Sequence, residues 1–140
     1  MGIGYTTGVY DLFHVGHVNL LKRARGLCDH LIVGVSSDEL VKAEKSRETV
    51  IPFQERCEIL EACRYVDVVV RQDDRDKVKA WSRLKFDILF VGDDWYQNEK
   101  WIAMEESFSA KNVKVVYFPY TQSTSSTKIN GMLTSSAQNV

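Results

Sequence analysis

The sequence contains little that would mark a disulfide framework or a thiolate metal site. Only three of its 140 residues are cysteine, Cys28, Cys57 and Cys63, and no two of them have CxxC spacing. An odd, sparse set of cysteines within apolar stretches is typical of reduced, buried thiols in a cytoplasmic protein. The cysteine pattern therefore argues against a secreted disulfide-rich fold and against a zinc site built from cysteine.

Membrane segments and an excess of one charge are also missing. No run approaches the roughly 20 apolar residues that cross a bilayer, and the N-terminus lacks the basic and apolar regions of a secretory signal. Eighteen Lys and Arg against 19 Asp and Glu give a net charge of -1, so no overall field attracts nucleic acid or a membrane. We expect a cytoplasmic protein without nucleic-acid or membrane partners, in which a local cluster of basic groups meets any anionic ligand.

Short β-branched runs alternate with longer amphipathic segments along the chain. The predicted strands are Ile3–Thr7, Leu31–Val35, Val66–Val70, Ile88–Val91 and Val113–Phe118. The predicted helices are Val18–Leu27, Phe53–Cys63, Lys77–Leu84, Glu99–Ser109 and Ser125–Leu133. Because helix-length connections exclude hairpins, the pattern predicts an α/β fold, a Rossmann-like five-stranded parallel sheet with helices on both faces. One domain is expected over residues 1–133, with a frayed tail over 134–140.

Ligands of such sheets bind beyond the carboxyl ends of the strands, here just after Thr7, Val35, Val91 and Phe118. After the first strand, Gly8 would let the backbone approach a ligand closely. His14 and His17 are three residues apart, so in a first helical turn they share a face and can both donate to one polyphosphate. A metal site and a merely structural histidine pair are the alternatives.

Four segments occur in the same order as in a known family. Residues 8–17, GVYDLFHVGH, resemble the HxGH signature of nucleotidyltransferases in the GxFDxxHxGH form of cytidylyltransferases, with Tyr10 in place of Phe. Residues 64–67 resemble the family's RYVD segment and residues 92–95 its GDDW segment. Residues 120–127 are similar to its RTxxISTT signature, but Tyr120 stands where the family has arginine. The chain thus resembles the cytidylyltransferases, and its length is similar to that of the bacterial glycerol-3-phosphate enzymes.

The resemblance implies transfer of CMP from CTP to a small alcohol phosphate. Glycerol 3-phosphate is the first choice, giving CDP-glycerol and pyrophosphate, with Mg²⁺ accompanying CTP and with a homodimer formed near the RYVD segment. Phosphoethanolamine, phosphocholine, another polyol or sugar phosphate, and ATP in place of CTP keep the same chemistry. A non-catalytic nucleotide-binding module is the alternative of another class, motivated by Tyr120.

The resemblance also implies roles for individual residues. The expected catalytic residues are His14, His17, Lys45 and Arg56. The expected nucleotide-binding residues are Thr7, Gly8, Val9, Tyr10, Asp11, Gly16, Asp93, Asp94, Tyr120, Ser125, Ser126 and Thr127. The expected acceptor-binding residues are Arg64, Trp95 and Lys42, and Asp11 is the candidate for placing the magnesium complex.

Each of these roles has a simpler structural alternative. The polar stretch Ser36–Ile51 suits a flexible basic lid carrying Lys42 and Lys45, or a solvated loop. Arg56 and Arg64 could instead form surface ion pairs. Asp93 and Asp94, and likewise residues 125–127, could simply cap helices.

Overall fold

The computed structural model describes residues 2–46, 48–92 and 99–118 of the chain. Strands and helices alternate through these ranges in the order β1 (Ile3–Gly8), α1 (Val15–Gly26), β2 (His30–Ser36), α2 (Asp38–Lys45), α3 (Phe53–Glu61), β3 (Val68–Gln72), α4 (Lys77–Leu84), β4 (Ile88–Gly92), α5 (Glu99–Ala110) and β5 (Lys114–Phe118). All strand pairs are parallel and the sheet order is β3-β2-β1-β4-β5. The predicted five-stranded parallel sheet is confirmed.

Two apolar clusters cover the two faces of the sheet. Along β2, Leu31, Val33 and Val35 belong to one cluster and Ile32 to the other, as the two-residue period of a strand requires. The first cluster includes Leu21 of α1 together with a residue of α3, and the second includes residues of α4 and α5. Helices therefore pack on both faces, as predicted.

The strand order reverses direction at β1. From β1 the chain moves outward through β2 to β3, then α4 returns it across the sheet to β4 on the other side of β1. In open parallel sheets a crevice forms beyond the carboxyl ends of the strands at such a reversal. The fold therefore places the candidate site beyond the end of β1, at the segment that carries the two histidines.

Most predicted boundaries differ by one or two residues, and the start of α1, the segment before α3 and the start of β3 show why. Helix α1 starts at Val15 rather than Val18, because His14 caps it. The predicted lid contains helix α2, with Ser37 as its N-cap and acidic residues in its first turn. Strand β3 starts at Val68 rather than Val66, because the Val66 N–H is bonded within the preceding turn to the carbonyl of Cys63.

The cysteines form no disulfide; Cys28 is buried, and Cys57 and Cys63 are half-buried. None of the described helices combines the length and apolarity that a membrane span requires. The predicted closing helix and the tail lie outside the described residues.

Gly34 in β2 provides a test of packing against β1. A Cβ atom at Gly34 would lie 2.5 Å from the hydroxyl oxygen of Tyr5, whose ring is buried and stacked on Phe86. We expect Gly34→Ala to lower the free energy of unfolding by about 1–3 kcal/mol, the usual cost of overpacking. Adding Tyr5→Phe should restore part of the loss in urea denaturation.

Gly26, the last residue of α1, is the matched control. Its φ is not positive, and a Cβ atom added to it would have no other atom within 4 Å. Gly26→Ala should therefore leave stability unchanged or slightly raised. Equal losses at Gly26 and Gly34 would contradict the packing assignment.

Candidate active site

The first turn of α1 is held by an unusual cap made of two histidines. The Nδ1 atom of His14, the N-cap residue, accepts a hydrogen bond from the Gly16 N–H at 3.0 Å. The Nδ1 atom of His17 accepts one from the His14 N–H at 3.3 Å. The pair thus performs the reciprocal bonding of a capping box, a task usually done by Ser or Thr with Glu. The rings stack with centroids 4.0 Å apart, so the predicted shared face is present.

This arrangement determines where each imidazole carries its proton. A ring nitrogen that accepts a hydrogen bond is unprotonated, so in each neutral ring the proton is assigned to Nε2. The Nε2 atom of His14 is buried and has no hydrogen-bond partner among the described residues. A buried donor left unsatisfied is costly, so this atom is available to an acceptor from outside the described residues.

The surroundings of the histidines favour their neutral form. Burial, assisted by the neighbouring His14, lowers the pKa of His17 to about 4, although Asp11 acts in the opposite direction. Burial also lowers the pKa of His14. The ring of His17 stacks on Phe13 and meets the edge of Tyr10. Both imidazoles are therefore neutral hydrogen-bond donors at pH 7.

The loop between β1 and α1 has a constrained backbone. Tyr10 and Leu12 have φ values of 55° and 53°, in the left-handed region that costs a non-glycine residue about 1–3 kcal/mol. Tyr10 places its ring in the core, where burial raises the pKa of its hydroxyl. The ring passes 2.9 Å from the position of a Cβ at Gly8. Gly8 therefore makes room for Tyr10, a contact that accounts for the glycine without a ligand.

The carboxylate of Asp11 is engaged within the protein itself. Its carboxylate is buried and accepts hydrogen bonds from the N–H groups of Val50 and Ile51, at 2.8 and 2.9 Å, one to each oxygen. It thereby anchors the segment before α3 to the β1–α1 loop. A carboxylate used in this way does not fit a magnesium ligand, and the described residues contain no cluster of three or more His, Cys, Asp or Glu that could hold a metal.

Arg56 was predicted to contact phosphate, and the structure corrects this. Its side chain is fully buried, and its N–H groups donate to the carbonyl oxygens of Val9, Ser36 and Ile51 at 2.7–2.9 Å. Another N–H donates to the carboxylate of Asp38 at 2.6 Å. The guanidinium is therefore committed to three connecting segments, and Arg56 is a positioning residue.

Asp38 is the acidic partner in this network. Burial acts to raise the pKa of Asp38, but hydrogen bonds from the Phe53 N–H, from Arg56 and from the Thr49 hydroxyl lower it overall. The same carboxylate thus joins the start of α2 to the start of α3. Arg56 does form an ion pair, with Asp38. The arginine side chain is buried, however, and only the aspartate side chain reaches the surface.

The remaining basic candidates lie on elements other than the one that carries the histidines. Arg64 is exposed in the turn before β3, at the amino-terminal edge of the sheet, whereas the histidines lie at the carboxyl edge, and its contact with the acceptor stays a prediction. Lys42 is exposed on α2, and Lys45 is the last residue of that helix. A helix, rather than a lid without secondary structure, carries both lysines.

The remaining predicted site residues fall into two groups, those that the structure describes and those that it does not. Thr7 and Val9 flank Gly8 where β1 ends, and the buried Gly16 contributes its N–H to the cap. Asp93, Asp94, Trp95, Tyr120, Ser125, Ser126 and Thr127 lie outside the described residues.

The sequence did not predict one residue that lies at the carboxyl end of β1. Lys77, the first residue of α4, is buried and its Nζ donates to the Thr7 hydroxyl oxygen at 2.6 Å. The positions predicted to face a ligand omitted the end of the third strand, which leads to this lysine. A signal existed, since a lysine at a helix start opposes the helix dipole.

The role of Arg56 can be tested by its removal. We expect Arg56→Met to lower the free energy of unfolding by about 3–5 kcal/mol, because it removes the cation paired with Asp38 and leaves three carbonyl oxygens without their Arg56 donors. Chemical denaturation measures the change, and the exposed Arg64→Met is the matched control, expected to have little effect. A stable Arg56→Met protein whose only defect is weak nucleotide binding would contradict the positioning role.

Comparison with known proteins identifies the family of the chain. The family model described as Cytidylyltransferase-like matches residues 5–132. A glycerol-3-phosphate cytidylyltransferase of Bacillus subtilis is 36% identical over 131 residues, covering 89% of this chain and 91% of the relative. An FAD synthase of Pyrococcus horikoshii is 39% identical over 114 residues, covering 81% of this chain and 77% of the relative.

Solved structures agree on the fold. A lipopolysaccharide core biosynthesis protein from Thermoplasma volcanium superposes with a TM-score of 0.71 at 23% identity, covering 86% of this chain and 97% of the other. A pantothenate synthetase from Thermus thermophilus superposes with a TM-score of 0.61 at 15% identity, covering 85% of this chain and 56% of the other. On the family match and the identity to its relatives, the chain belongs to the cytidylyltransferase-like family of nucleotidyltransferases.

Proposed function

We propose that this protein transfers CMP from CTP to a small alcohol phosphate, with glycerol 3-phosphate as the acceptor and CDP-glycerol and pyrophosphate as the products. The observation that carries the proposal is the buried Nε2 donor of His14, left without a partner among the described residues at the start of α1. Such a donor, beside a second one on His17, suits the oxygens of a polyphosphate. The positive end of the α1 dipole adds to the attraction.

The reaction needs no covalent intermediate on the enzyme. An oxygen of the acceptor phosphate attacks the α-phosphorus of CTP, and the bond to the bridging oxygen of the departing pyrophosphate breaks. Catalysis of phosphoryl transfer depends mainly on positioning and on stabilising charge on the phosphate oxygens. His14 and His17 supply preorganised donors there. Their hydrogen bonds strengthen as negative charge develops on the phosphate oxygens that accept them.

We choose glycerol 3-phosphate as the acceptor because a relative named for it aligns with this chain over most of both lengths. The Bacillus subtilis glycerol-3-phosphate cytidylyltransferase matches this chain over nearly the whole of both lengths. A second candidate is favoured by the FAD synthases of Pyrococcus horikoshii and Thermococcus kodakarensis, which are 39% and 36% identical. FAD is the adenylylated form of an alcohol phosphate, so that reaction belongs to the same chemical class.

Magnesium enters the proposal as a partner of the nucleotide. Because both oxygens of Asp11 accept backbone hydrogen bonds, we assign no resident metal to the described residues. Mg²⁺ commonly binds through substrate phosphates and retains several waters. It would supply charge neutralisation on the triphosphate.

The function is tested by measuring pyrophosphate release. CTP and ATP are each supplied with glycerol 3-phosphate, phosphoethanolamine, phosphocholine or FMN, in the presence of Mg²⁺. We expect turnover to be fastest with CTP and glycerol 3-phosphate. Preference for ATP and FMN would replace the proposal with the second candidate, and nucleotide binding without any turnover would indicate a non-catalytic module.

The histidine assignment is tested by a substitution that keeps the helix cap. Asparagine is a good N-cap, so His14→Asn retains an acceptor for the Gly16 N–H but removes the Nε2 donor. We expect kcat to fall about 10²- to 10³-fold, as for loss of one oxyanion donor, with an unchanged melting temperature. His30→Asn, in an exposed histidine at the start of β2, is the control. Full activity of His14→Asn would remove the donor from the mechanism.

A further inference from the structure

Helix α2 is attached to the rest of the protein unevenly along its length. At its start the Ser37 hydroxyl oxygen accepts from the Leu40 N–H at 3.1 Å, and Asp38 accepts from the Phe53 N–H at 3.1 Å. Leu40 and Val41 are buried. Beyond Val41, every residue of α2 whose side chain the structure describes is exposed. The half of the helix that carries the two candidate lysines therefore has no apolar anchor among the described residues.

One ion pair attaches this exposed half of α2. The Nε atom of Arg75 donates to the carboxylate of Glu44, and the two side chains are 37% and 33% exposed. Arg75 lies in the connection between β3 and α4, two residues before Lys77, whose amine is bonded to Thr7 near the end of β1. Among the described contacts, no other side-chain hydrogen bond or ion pair joins this half to the rest of the protein.

The charge of Glu44 acts at the carboxyl edge of the sheet. Burial, followed by the nearby Arg75, lowers the pKa of Lys77 to about 7, whereas Glu44 and Asp74 act in the opposite direction. Charges shift a pKa in this way when they are close to the titrating group. The end of α2 therefore reaches towards the edge at which the fold places its ligands.

Helix stability does not account for Glu44. An acidic side chain in the last turn of a helix opposes the helix dipole, whereas Asp38 and Glu39 in the first turn are favourable. The ion pair with Arg75 is partly exposed, and such pairs add little to the stability of a fold. A role in placing the end of α2 would explain a residue that disfavours its own helix.

We propose that the Glu44–Arg75 ion pair holds the lysine-bearing end of α2 at the edge of the nucleotide site, so that both are positioning residues for nucleotide binding. The inference rests on the proposed function and on the predicted contacts of Lys42 and Lys45 with substrate phosphates. Because a partly exposed pair is weak and is screened by salt, it biases the position of the helix end without fixing it.

The sign of the effect distinguishes positioning from simple electrostatics. Removing a negative charge beside a site for a triphosphate would by itself tighten nucleotide binding. If Glu44 holds the end of α2, however, Glu44→Gln releases that end and weakens binding. Positioning therefore predicts a change in affinity opposite to the one that charge alone predicts.

The first experiment measures the Kd of CTP, with Mg²⁺, by calorimetry for wild type, Glu44→Gln and the matched control Glu39→Gln. Glu39 pairs with Arg71 at 3.1 Å from the same helix, but near the start that Ser37 and Asp38 already hold. We expect Kd to rise about 2- to 5-fold in Glu44→Gln, the size that an exposed ion pair can supply, and not to rise in Glu39→Gln. Unchanged or tighter binding by Glu44→Gln, or an equal loss in the control, would overturn the proposal.

Exchange of the two charges tests the pair itself. Glu44→Arg and Arg75→Glu should each weaken CTP binding, because each places like charges together. The double variant restores an ion pair of the opposite polarity and should bind CTP more tightly than either single variant. A double variant that binds no more tightly than the better of the two single variants would contradict the positioning role.

A double-mutant cycle tests whether the lysines carry the effect. Glu44→Gln is introduced into wild type and into a protein with both Lys42→Met and Lys45→Met. We expect Glu44→Gln to have little further effect on the Kd of CTP once both lysines are absent. An equal loss of affinity in the two backgrounds would refute the role of the lysines and with it the proposal.

These measurements depend on binding and not on turnover, which keeps them separate from the test of the proposed function. If wild type binds CTP but releases no pyrophosphate, the proposed reaction fails while the same binding constants still decide the role of Glu44. If wild type uses ATP, ATP is titrated in place of CTP. A wild-type protein that binds neither nucleotide overturns both proposals.

Discussion

The guanidinium of Arg56 holds the functional edge of this protein together. It joins the loop after β1, the end of β2 and the segment before α3 through their carbonyl oxygens, and it joins α2 through Asp38. Asp11 reinforces the same junction by accepting two backbone N–H groups. A buried arginine is tolerated because almost all of its donors are satisfied, and removing it would leave several polar groups unpaired at once. The two histidines depend on this support, since the loop that Arg56 anchors at Val9 leads directly into α1.

At the start of α1, structure and chemistry use different atoms of the same side chains. The Nδ1 atoms of His14 and His17 cap the helix, which orients both rings and assigns their protons to Nε2. The Nε2 atoms then remain for a ligand. A serine cap would hold the helix equally well but would offer no second polar atom, so the HxGH pattern joins a structural and a binding function in one turn.

Much of the fold could be predicted because it depends on local pattern. Runs of β-branched residues separated by helix-length segments predicted all five strands and their parallel arrangement. The start of α1 was missed because histidine is an uncommon N-cap. Helix α2 was missed because its charged residues were interpreted as a loop, although Ser37 followed by Asp38 and Glu39 is an ordinary helix start.

The chemistry of individual residues was less accessible from the sequence. The pairing of His14 and His17 followed from a spacing of three and is confirmed in the structure. The roles of Asp11 and Arg56 did not follow, because their partners lie up to 47 residues away in the chain, and nothing local in the sequence shows that a charged side chain is buried. The contact of Lys77 with Thr7 was missed because only the three-dimensional fold brings the two residues together.

The protonation of the two imidazoles decides whether their Nε2 atoms can act as donors to a polyphosphate. Nitrogen-15 NMR of histidine-labelled protein at pH 7, with His14→Asn and His30→Asn used for assignment, reports which ring nitrogen carries the proton. We expect His14 and His17 both to be neutral with the proton on Nε2, and added pyrophosphate to perturb these Nε2 signals while that of His30 stays unchanged. Protons on Nδ1, or positively charged rings in the ligand-free protein, would contradict the proposed role of the histidines.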